Sequence, residues 1–240
     1  MRRLNSYLRY QSCVVYTKRP ELGYYNTLWY TVVGTVFNVV FGVMAAYPLS
    51  KRSYFLRKPL TFIYIFTMFF AGGMIPLFIL VVRLGLFDSR WAMVLPTLIG
   101  TWDVIIARTF FQSLPEELFE NARLEGCGEG RILLRIVVPL SKPIIAVLTL
   151  FNAVAHWNEF FPALLYLSDR DLHPIQIYLR RILIQASPEM MIEAEEAEDI
   201  LSFLKIKYAV IVITILPIIT LYPFLQRYFV KGVMIGSLKG

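Results

Sequence analysis

The residues best suited to chemistry in this chain lie within long apolar segments. His156 and Glu159 are three positions apart, so on a helix their side chains share one face. Asp103 is a carboxylate in another apolar segment, and ionisable groups inside a bilayer are costly and commonly functional. An imidazole and two carboxylates could perform acid–base chemistry or line a polar path. A metal site at His156 and Glu159 would need further ligands, and none is evident.

Aromatic and amide side chains accompany His156 and Glu159. Trp157, Asn158 and Phe160 complete this run. One interpretation is a path for a hydroxyl-rich substrate, with Trp157 and Phe160 stacked on sugar faces. The other is hydrogen bonding between helices, which fixes a bundle or a partner interface. The sequence leaves both interpretations open.

The composition indicates a membrane protein. Hydrophobic residues make up 57% of the chain, the mean hydropathy is +0.59, and charged residues make up 17%, against about 25% in a soluble domain. Apolar segments of about 20 residues cross a bilayer as helices. We therefore predict an all-α polytopic membrane helix bundle with five transmembrane helices, at 27–49, 60–82, 91–107, 144–167 and 208–226. The pair Gly72-Gly73, with Pro76, predicts a break in the second of these.

The distribution of Lys and Arg predicts how the spans are oriented. The loop 51–58 has four basic residues and no acidic one, so it should be cytoplasmic. Alternation then places 83–90 and 168–207 outside, and 108–138 and the C-terminus inside. Basic cytoplasmic rims account for the net charge of +7, so no nucleic-acid partner is expected.

The N-terminal segment 1–26 does not fit this alternation. It would lie outside, although it is rich in Arg and Lys. Either this segment escapes the charge rule or it flanks a first span that the sequence lacks, and we expect the second. The predicted domains are therefore the segment 1–26 and a transmembrane domain at 27–240.

A polar loop at 109–138 separates the third and fourth spans. Ser113 and Glu116 have the spacing of a capping box, which predicts the start of a helix. Leu118 and Ala122 follow on one narrow apolar face. Gly126 can adopt the left-handed conformation that ends a helix. Such a loop could be offered to a partner, and an ordinary interfacial helix is the alternative.

This loop resembles the cytoplasmic "EAA" loop of permease subunits of ABC importers. In the family pattern, Glu-Ala-Ala is followed by Gly, and then by a hydrophobic residue and Pro. The chain keeps the family spacing, with Asn121 in place of the second-position Ala. The matching residues are Glu120, Ala122, Gly126, Ile136 and Pro139.

Four other segments, 66–76, 85–86, 156–161 and 231–237, resemble the subgroup that imports oligosaccharides and larger glycans. The resemblance implies the transmembrane domain of a type I ABC importer. Six spans are usual in that family, so the five in this chain again point to a lost first one. The implied function is import of an oligosaccharide or polysaccharide across the bacterial inner membrane by alternating access, with a cytoplasmic C-terminus. An acidic, alginate-like glycan is a refinement of this expectation.

The resemblance further implies that the loop forms a coupling helix in a groove of an ATP-hydrolysing subunit. The residues it assigns to coupling are Glu117, Leu118, Glu120, Ala122, Gly126 and Pro139. Leu118 and Ala122 would form a small docking face. Glu120 would hold the loop together through backbone or Arg contacts, and Pro139 would mark re-entry into the membrane.

The implied partners are two ATPase subunits, a second and different permease, an extracytoplasmic solute-binding protein and membrane lipid. ATP and Mg would bind to the ATPase subunits. This chain has no P-loop, so it would carry no cofactor and no catalytic residue. Arg180 and Arg181 would contact the binding protein. The expected substrate path comprises Asp103, His156, Trp157, Asn158, Glu159 and Phe160.

Two other classes of protein are the alternatives. An intramembrane enzyme would use Asp103, His156 and Glu159 as acid–base groups, and it predicts activity from the isolated chain. A passive channel predicts flux without ATP. The enzyme gives no reason for the loop between Gly126 and Pro139, and the transporter interpretation explains more residues.

Overall fold

The computed structural model describes residues 20–70, 72–185, 208–209, 211–212 and 214–220, and the structural statements below concern these residues. They contain helices and no strands, so the predicted all-α class is confirmed. The α-helices are α1 (Pro20–Ser50), α2 (Arg57–Phe69), α3 (Met74–Arg83), α4 (Trp91–Val94), α5 (Thr101–Gln112), α6 (Glu116–Leu124), α7 (Glu129–Ile132), α8 (Val138–Leu140), α9 (Lys142–Asn158), α10 (Phe161–Tyr166) and α11 (Ile175–Gln185). Short 3₁₀ turns lie at Leu95–Thr97 and Arg170–Leu172, and a π-helical turn lies at Leu133–Val137.

Helix α1 is long enough to cross a membrane by itself. Its 31 residues extend over about 46 Å at 1.5 Å per residue. Three other candidate spans are each divided between two helical pieces: α2 with α3, Trp91–Thr97 with α5, and Glu129–Leu140 with α9. The described residues therefore contain up to four spans. The predicted fifth span, at 208–226, lies only partly within the described residues, which are helical there.

Breaks interrupt three of the predicted spans. The predicted helix 91–107 is interrupted at 98–100, between Leu95–Thr97 and α5. The predicted helix 60–82 is interrupted before Gly73, whose φ is +89°, a conformation that glycine adopts at little cost. The predicted helix 144–167 ends at Asn158, because Glu159 is extended and Pro162 lies in the first turn of the next helix. Proline disfavours helical geometry in the residue before it and cannot donate a backbone hydrogen bond.

Helix α1 is the centre of the bundle, with α5, α9 and α11 packed against it. The main core joins buried side chains of α1, α5 and α9 to residues of the loop that follows α5. Ala46 and Ala107 are completely buried in it. Small residues at such crossings let helix backbones approach closely, which is how membrane helices gain packing energy.

The opposite face of α1 is apolar and exposed. Leu28, Val32, Val36 and Val40 follow one another at four-residue spacing, and each is about half exposed. Four-residue spacing places them on one stripe of the helix. An exposed apolar stripe is what lipid or a second membrane subunit covers, and it agrees with the predicted membrane location.

Candidate functional site

The loop that resembles a coupling loop begins where α5 ends. The Ser113 hydroxyl donates to the carbonyl of Phe110 at 2.7 Å, so it closes α5 instead of capping α6. Pro115 occupies the N-cap position of α6 and no side chain caps the helix. The predicted capping box of Ser113 and Glu116 is therefore wrong, although acidic residues do occupy the first turn of α6.

The loop turns at Gly126, as predicted. This residue has a φ of +75°, and a Cβ built on it would meet nothing within 4 Å. The amide of Gly126 donates to the carbonyl of Arg123, and that of Cys127 donates to Ala122, both at 2.9 Å. This pair of bonds is the Schellman motif that satisfies the last carbonyls of a helix. The requirement for glycine here is conformational, since space is available for a side chain.

The outer surface of α6 differs from the predicted docking face. Ala122 is only 6% exposed and packs in the main core, with Phe119 beside it. Leu118 is 39% exposed and Leu124 is 86% exposed. The prediction that Ala122 and Leu118 share a docking face is therefore wrong, because Ala122 is used to attach α6 to the bundle. Leu124 is an exposed apolar residue of this helix that the sequence interpretation did not single out.

Glu129 holds the loop to the rest of the chain. Its carboxylate accepts hydrogen bonds from Tyr47 Oη at 2.6 Å and Arg123 Nε at 3.2 Å, and it forms an ion pair with Lys51. Burial by itself would raise the pKa of Glu129, but the bonds from Lys51 and Tyr47 and the nearby positive charges lower that pKa below its ordinary value. The carboxylate therefore stays ionised and joins the end of α1 to α6 and α7.

Glu120 does not have the role that the motif implied. Its side chain is exposed, and among the described residues no hydrogen bond or ion pair reaches its carboxylate. The prediction that Glu120 holds the loop together is therefore wrong within this chain, and Glu129 performs that task. Glu117 is also exposed. Both carboxylates are free to meet a partner, and their part in coupling stays a prediction.

The chain bends sharply just after Pro139. This proline lies in the short helix α8, and the chain then bends by 81° between Leu140 and Lys142. Ser141 is completely buried at the bend. That Pro139 marks re-entry into the membrane stays a prediction. Pro143, in the first turn of α9, has no N–H with which to continue the preceding helix.

Asp103 belongs to a buried chain of hydrogen bonds between three helices. Asn152 on α9 donates to Asp103 Oδ2 on α5 at 2.9 Å, and Asn38 on α1 donates to Asn152 Oδ1 at 2.9 Å. All three side chains are buried. This geometry favours the inter-helix interpretation for Asp103 over the substrate path. Asn152 was missed because a single amide in an apolar run gives no sign of its partners.

His156 and Glu159 share one face, as their spacing predicts. Nδ1 of His156 lies 3.2 Å from Glu159 Oε2. The ring is 5% exposed, and its Nε2 atom has no hydrogen-bond partner among the described residues. It packs on Gly34 of α1, where an added Cβ would lie 2.6 Å from Nε2. The absence of a side chain at Gly34 is what makes room for the imidazole.

The neighbouring candidates have different surroundings. Trp157 is 4% exposed, donates from Nε1 to the carbonyl of Thr214 at 2.9 Å and packs edge-on against Tyr24. Its ring is therefore not available for stacking on a sugar in this conformation, contrary to one of the two interpretations. Asn158 and Phe160 are exposed. Within the described residues, no group of His, Cys, Asp or Glu is arranged to bind a metal ion.

The two arginines predicted to contact a binding protein lie on α11. The guanidinium of Arg180 is placed over the ring of Phe160, 5.1 Å from its centroid, and Arg180 is exposed. Arg181 is half-buried. Arg180 and Phe160 are therefore neighbours at one end of the bundle, which joins two residues that the sequence had assigned to different tasks.

Comparison with known proteins identifies the class to which this fold and loop belong. The family model described as "Binding-protein-dependent transport system inner membrane component" matches residues 38–235, and the chain belongs to this family. The predicted membership of the ABC importer permeases is confirmed, and it favours the transporter interpretation over the intramembrane enzyme and the channel.

Particular relatives share most of the chain. It is 43% identical over 220 residues to the Bacillus subtilis polygalacturonan/rhamnogalacturonan transport system permease protein YtcP, covering 89% of this chain and 75% of the relative. It is 46% identical over 219 residues to Bacillus subtilis protein LplC, and the match covers 89% of this chain and 72% of LplC. A solved bacterial ABC transporter involved in the import of the acidic polysaccharide alginate matches with a TM-score of 0.78 and 35% identity, covering 87% and 74%.

Proposed function

We propose that this chain is one permease subunit of an ATP-driven importer that moves oligosaccharides or polysaccharides rich in uronic acids across the bacterial inner membrane. The observation that carries the proposal is similarity to two proteins whose names specify such cargo, polygalacturonan for one relative and alginate for the solved structure. Both polymers are built from acidic sugars. The exposed Arg180 beside Phe160 supports an acidic cargo or an acidic partner surface at that end of the bundle.

The loop between α5 and α9 is the surface at which an ATPase subunit acts. Glu117, Leu118 and Leu124 are exposed on α6 and available to the groove of a partner. Glu129 and the buried Ala122 attach the same helix firmly to the bundle. A push on the outer side of α6 is therefore transmitted to α1 and α5 as rigid-body motion instead of being absorbed by the loop. ATP and Mg bind to the partner subunits in this scheme.

The remaining subunits follow from the same scheme. A second permease chain covers part of the exposed apolar surface, and an extracytoplasmic binding protein delivers cargo near Arg180 and Arg181. The C-terminus lies in the cytoplasm. Asn158, Glu159 and Phe160 are the members of the predicted path that are not fully buried, so they are the positions at which cargo passes.

Uptake by the assembled importer tests this proposal. The chain is reconstituted in proteoliposomes with its second permease, its ATPase subunits and its binding protein. ATP-dependent accumulation of an oligogalacturonide is compared with that of a neutral malto-oligosaccharide of equal length. We expect accumulation of the oligogalacturonide, and none when the ATPase is inactivated by substitution. Accumulation of neither sugar, with ATP hydrolysis intact, would contradict the proposed cargo class.

A further inference from the structure

A small polar cavity lies beside the coupling loop, and Leu124 is not part of its lining. It measures about 160 Å³ and lies between the loop after α1, the end of α5 and one side of α6. Sites for drug-sized ligands commonly measure roughly 300–1,000 Å³, so this cavity suits a compact chemical group. None of the functions assigned above uses it.

Positive charge predominates around this cavity. Lys51, Arg52, Arg57 and Arg123 line it, and Glu116 is the acidic residue in its lining. Glu129 offsets the charges of Lys51 and Arg123, with which it is paired. Even with both carboxylates counted, an excess of two positive charges is left.

Arg52 and Arg57 are the cations without a counterion. Among the described residues, no carboxylate lies within ion-pair distance of either guanidinium. The side-chain amide oxygen of Gln112 faces two guanidinium groups. It accepts hydrogen bonds from Arg57 Nη2 at 2.8 Å and from Arg108 Nε at 3.2 Å. Gln112 thus fixes Arg57 at the wall of the cavity without neutralising it.

From this arrangement we infer that the cavity is a binding site for a phosphate group, which bridges the loop after α1 to α6. Guanidinium groups present paired N–H donors that match phosphate oxygens, and a lysine adds a point charge. Ser53 supplies a hydroxyl group in the same lining. A bound phosphate offsets the positive charge of Arg52 and Arg57 and joins the loop after α1 to α6.

Two sources can supply a phosphate group here. One is the headgroup of an anionic phospholipid, since the loop after α1 follows directly from a membrane-spanning helix and the cytoplasmic leaflet attracts basic segments. The other is phosphate free in the cytoplasm. The chemistry of recognition is the same, so the experiment must vary the two sources separately. The inference uses the proposed orientation of the loop, but it does not depend on which sugar is carried.

The test follows the thermal midpoint of the complete importer in lipid nanodiscs. In one arm the nanodiscs contain phosphatidylcholine alone and inorganic phosphate is titrated, against chloride at equal ionic strength. In the other arm phosphatidylglycerol is added to the nanodiscs and phosphate is omitted. Arg57→Gln removes a lining cation, and Lys58→Gln is the matched control because Lys58 is the next residue and does not line the cavity.

We expect the wild type and Lys58→Gln to be stabilised in at least one arm, since a ligand that binds the folded state raises the midpoint. For Arg57→Gln, the concentration of phosphate or phosphatidylglycerol that gives the half-maximal rise in midpoint should increase at least about tenfold. This is the effect of losing one charge-assisted hydrogen bond. A response to inorganic phosphate identifies free phosphate as a source, and a response to phosphatidylglycerol alone identifies lipid.

The inference is overturned if the wild type responds in neither arm, or if Arg57→Gln responds as Lys58→Gln does. Arg52→Gln, in the exposed loop, replaces Arg57→Gln if that variant fails to assemble. The measurement needs neither sugar nor ATP. A failure of sugar uptake therefore leaves the phosphate result standing, and the reverse also holds.

Discussion

At the scale of single residues, Glu129 connects parts of the chain that are distant in sequence. Tyr47 and Lys51 lie 82 and 78 positions before it, and Arg123 lies six positions before it. Its side chain is 55% exposed, whereas that of Lys51 is 14% exposed. The carboxylate therefore anchors a largely buried ammonium group from the surface. Removal of this anchor leaves the charge of Lys51 buried without a partner, which is more costly than loss of an exposed pair.

Replacement of Glu129 by Gln should weaken this anchor while leaving the shape of the side chain unchanged. We expect a loss of about 1 kcal/mol in the free energy of unfolding, at the upper end of the range for exposed ion pairs. We also expect less cargo moved per ATP hydrolysed, because the loop becomes looser. The thermal midpoint and the ratio of uptake to ATP hydrolysis in the reconstituted importer measure the two effects.

Glu120→Gln is the matched control for stability, since Glu120 is a glutamate of the same loop whose carboxylate has no partner among the described residues. Its midpoint should stay at the wild-type value. The pKa of Glu129 is lowered, so its contribution is fully present above the ordinary glutamate pKa and is lost as the pH falls through the lowered pKa. The midpoint difference should thus be constant from about pH 6 to 8. Equal midpoints for Glu129→Gln and Glu120→Gln would contradict this account.

Residue types predicted the local backbone geometry well, but they did not predict which distant residues are in contact. Gly126 was predicted to turn the chain because positive φ is a property of the residue itself. Glu129 was not predicted as the anchor, because its partners become neighbours only after α1 and α6 have packed. Ala122 was assigned to a partner for a similar reason. Its small size suits any close contact, and only the packing shows that the contact is with its own chain.

At the scale of elements, the crossing of α1 and α9 depends on the absence of a side chain. Gly34 faces the imidazole of His156, and an added Cβ would lie 2.6 Å from Nε2 and 2.8 Å from two ring carbons. Gly42 lies two turns further along α1, where an added Cβ would have a normal contact of 3.8 Å with Asp103. Gly34 and Gly42 therefore have different tolerances for the same substitution.

Replacement of Gly34 by Ala should separate the two helices. We expect the free energy of unfolding to fall by about 1–3 kcal/mol, which is typical of overpacking in a well-packed core. Gly42→Ala should lower the free energy of unfolding much less. The second substitution His156→Ala should restore much of the loss in the Gly34→Ala background, since it removes the ring with which the methyl group collides. Thermal midpoints of the four variants, His156→Ala included, measure the coupling. Equal losses from Gly34→Ala with and without His156 would show that the contact is not the cause.

The positions of the helices followed from apolar segment length, but several of their bends did not. The break at Gly73 was predicted from the glycines and Pro76 in that segment. The 81° bend at Ser141 lies between Pro139 and Pro143, and two prolines within an apolar run do not by themselves say which residue bends. The helix end at Asn158 was not predicted either, since 144–167 is apolar over most of its length.

At the scale of the whole molecule, segments that were predicted to share one side of the membrane do meet in the structure. At one end, Asp88 accepts hydrogen bonds from the amides of Ser168 and Asp169 at 2.8 and 2.7 Å, and Arg90 donates to Asn26 at 3.0 Å. These residues lie in the segments 1–26, 83–90 and 168–207, which the alternation of spans places outside. At the other end, the loop 51–58 meets the polar loop through Glu129. The alternation of the spans and the contacts therefore group the same segments at the two ends of the bundle.

Labelling with a membrane-impermeant maleimide tests which end is cytoplasmic. In a background with Cys13→Ser and Cys127→Ser, we expect Leu124→Cys to react in inside-out vesicles and not in intact cells stripped of their wall. Arg83→Cys, at the exposed end of α3, is the matched control and should react from the outside. Co-expression of the ATPase subunits should protect Leu124→Cys, because the most exposed apolar residue of α6 lies on the surface assigned to docking.

Each result for Leu124→Cys separates orientation from docking. Reaction from the outside would invert the orientation and place α6 where no ATPase can reach it, which would remove the basis for coupling through this loop. If Leu124→Cys reacts from the inside and co-expressed ATPase does not slow the labelling, the proposed orientation is kept. This part of α6 is then excluded from the interface with the ATPase. Coupling would then have to act through Glu117 and Leu118, nearer the start of the helix, since those side chains are also exposed.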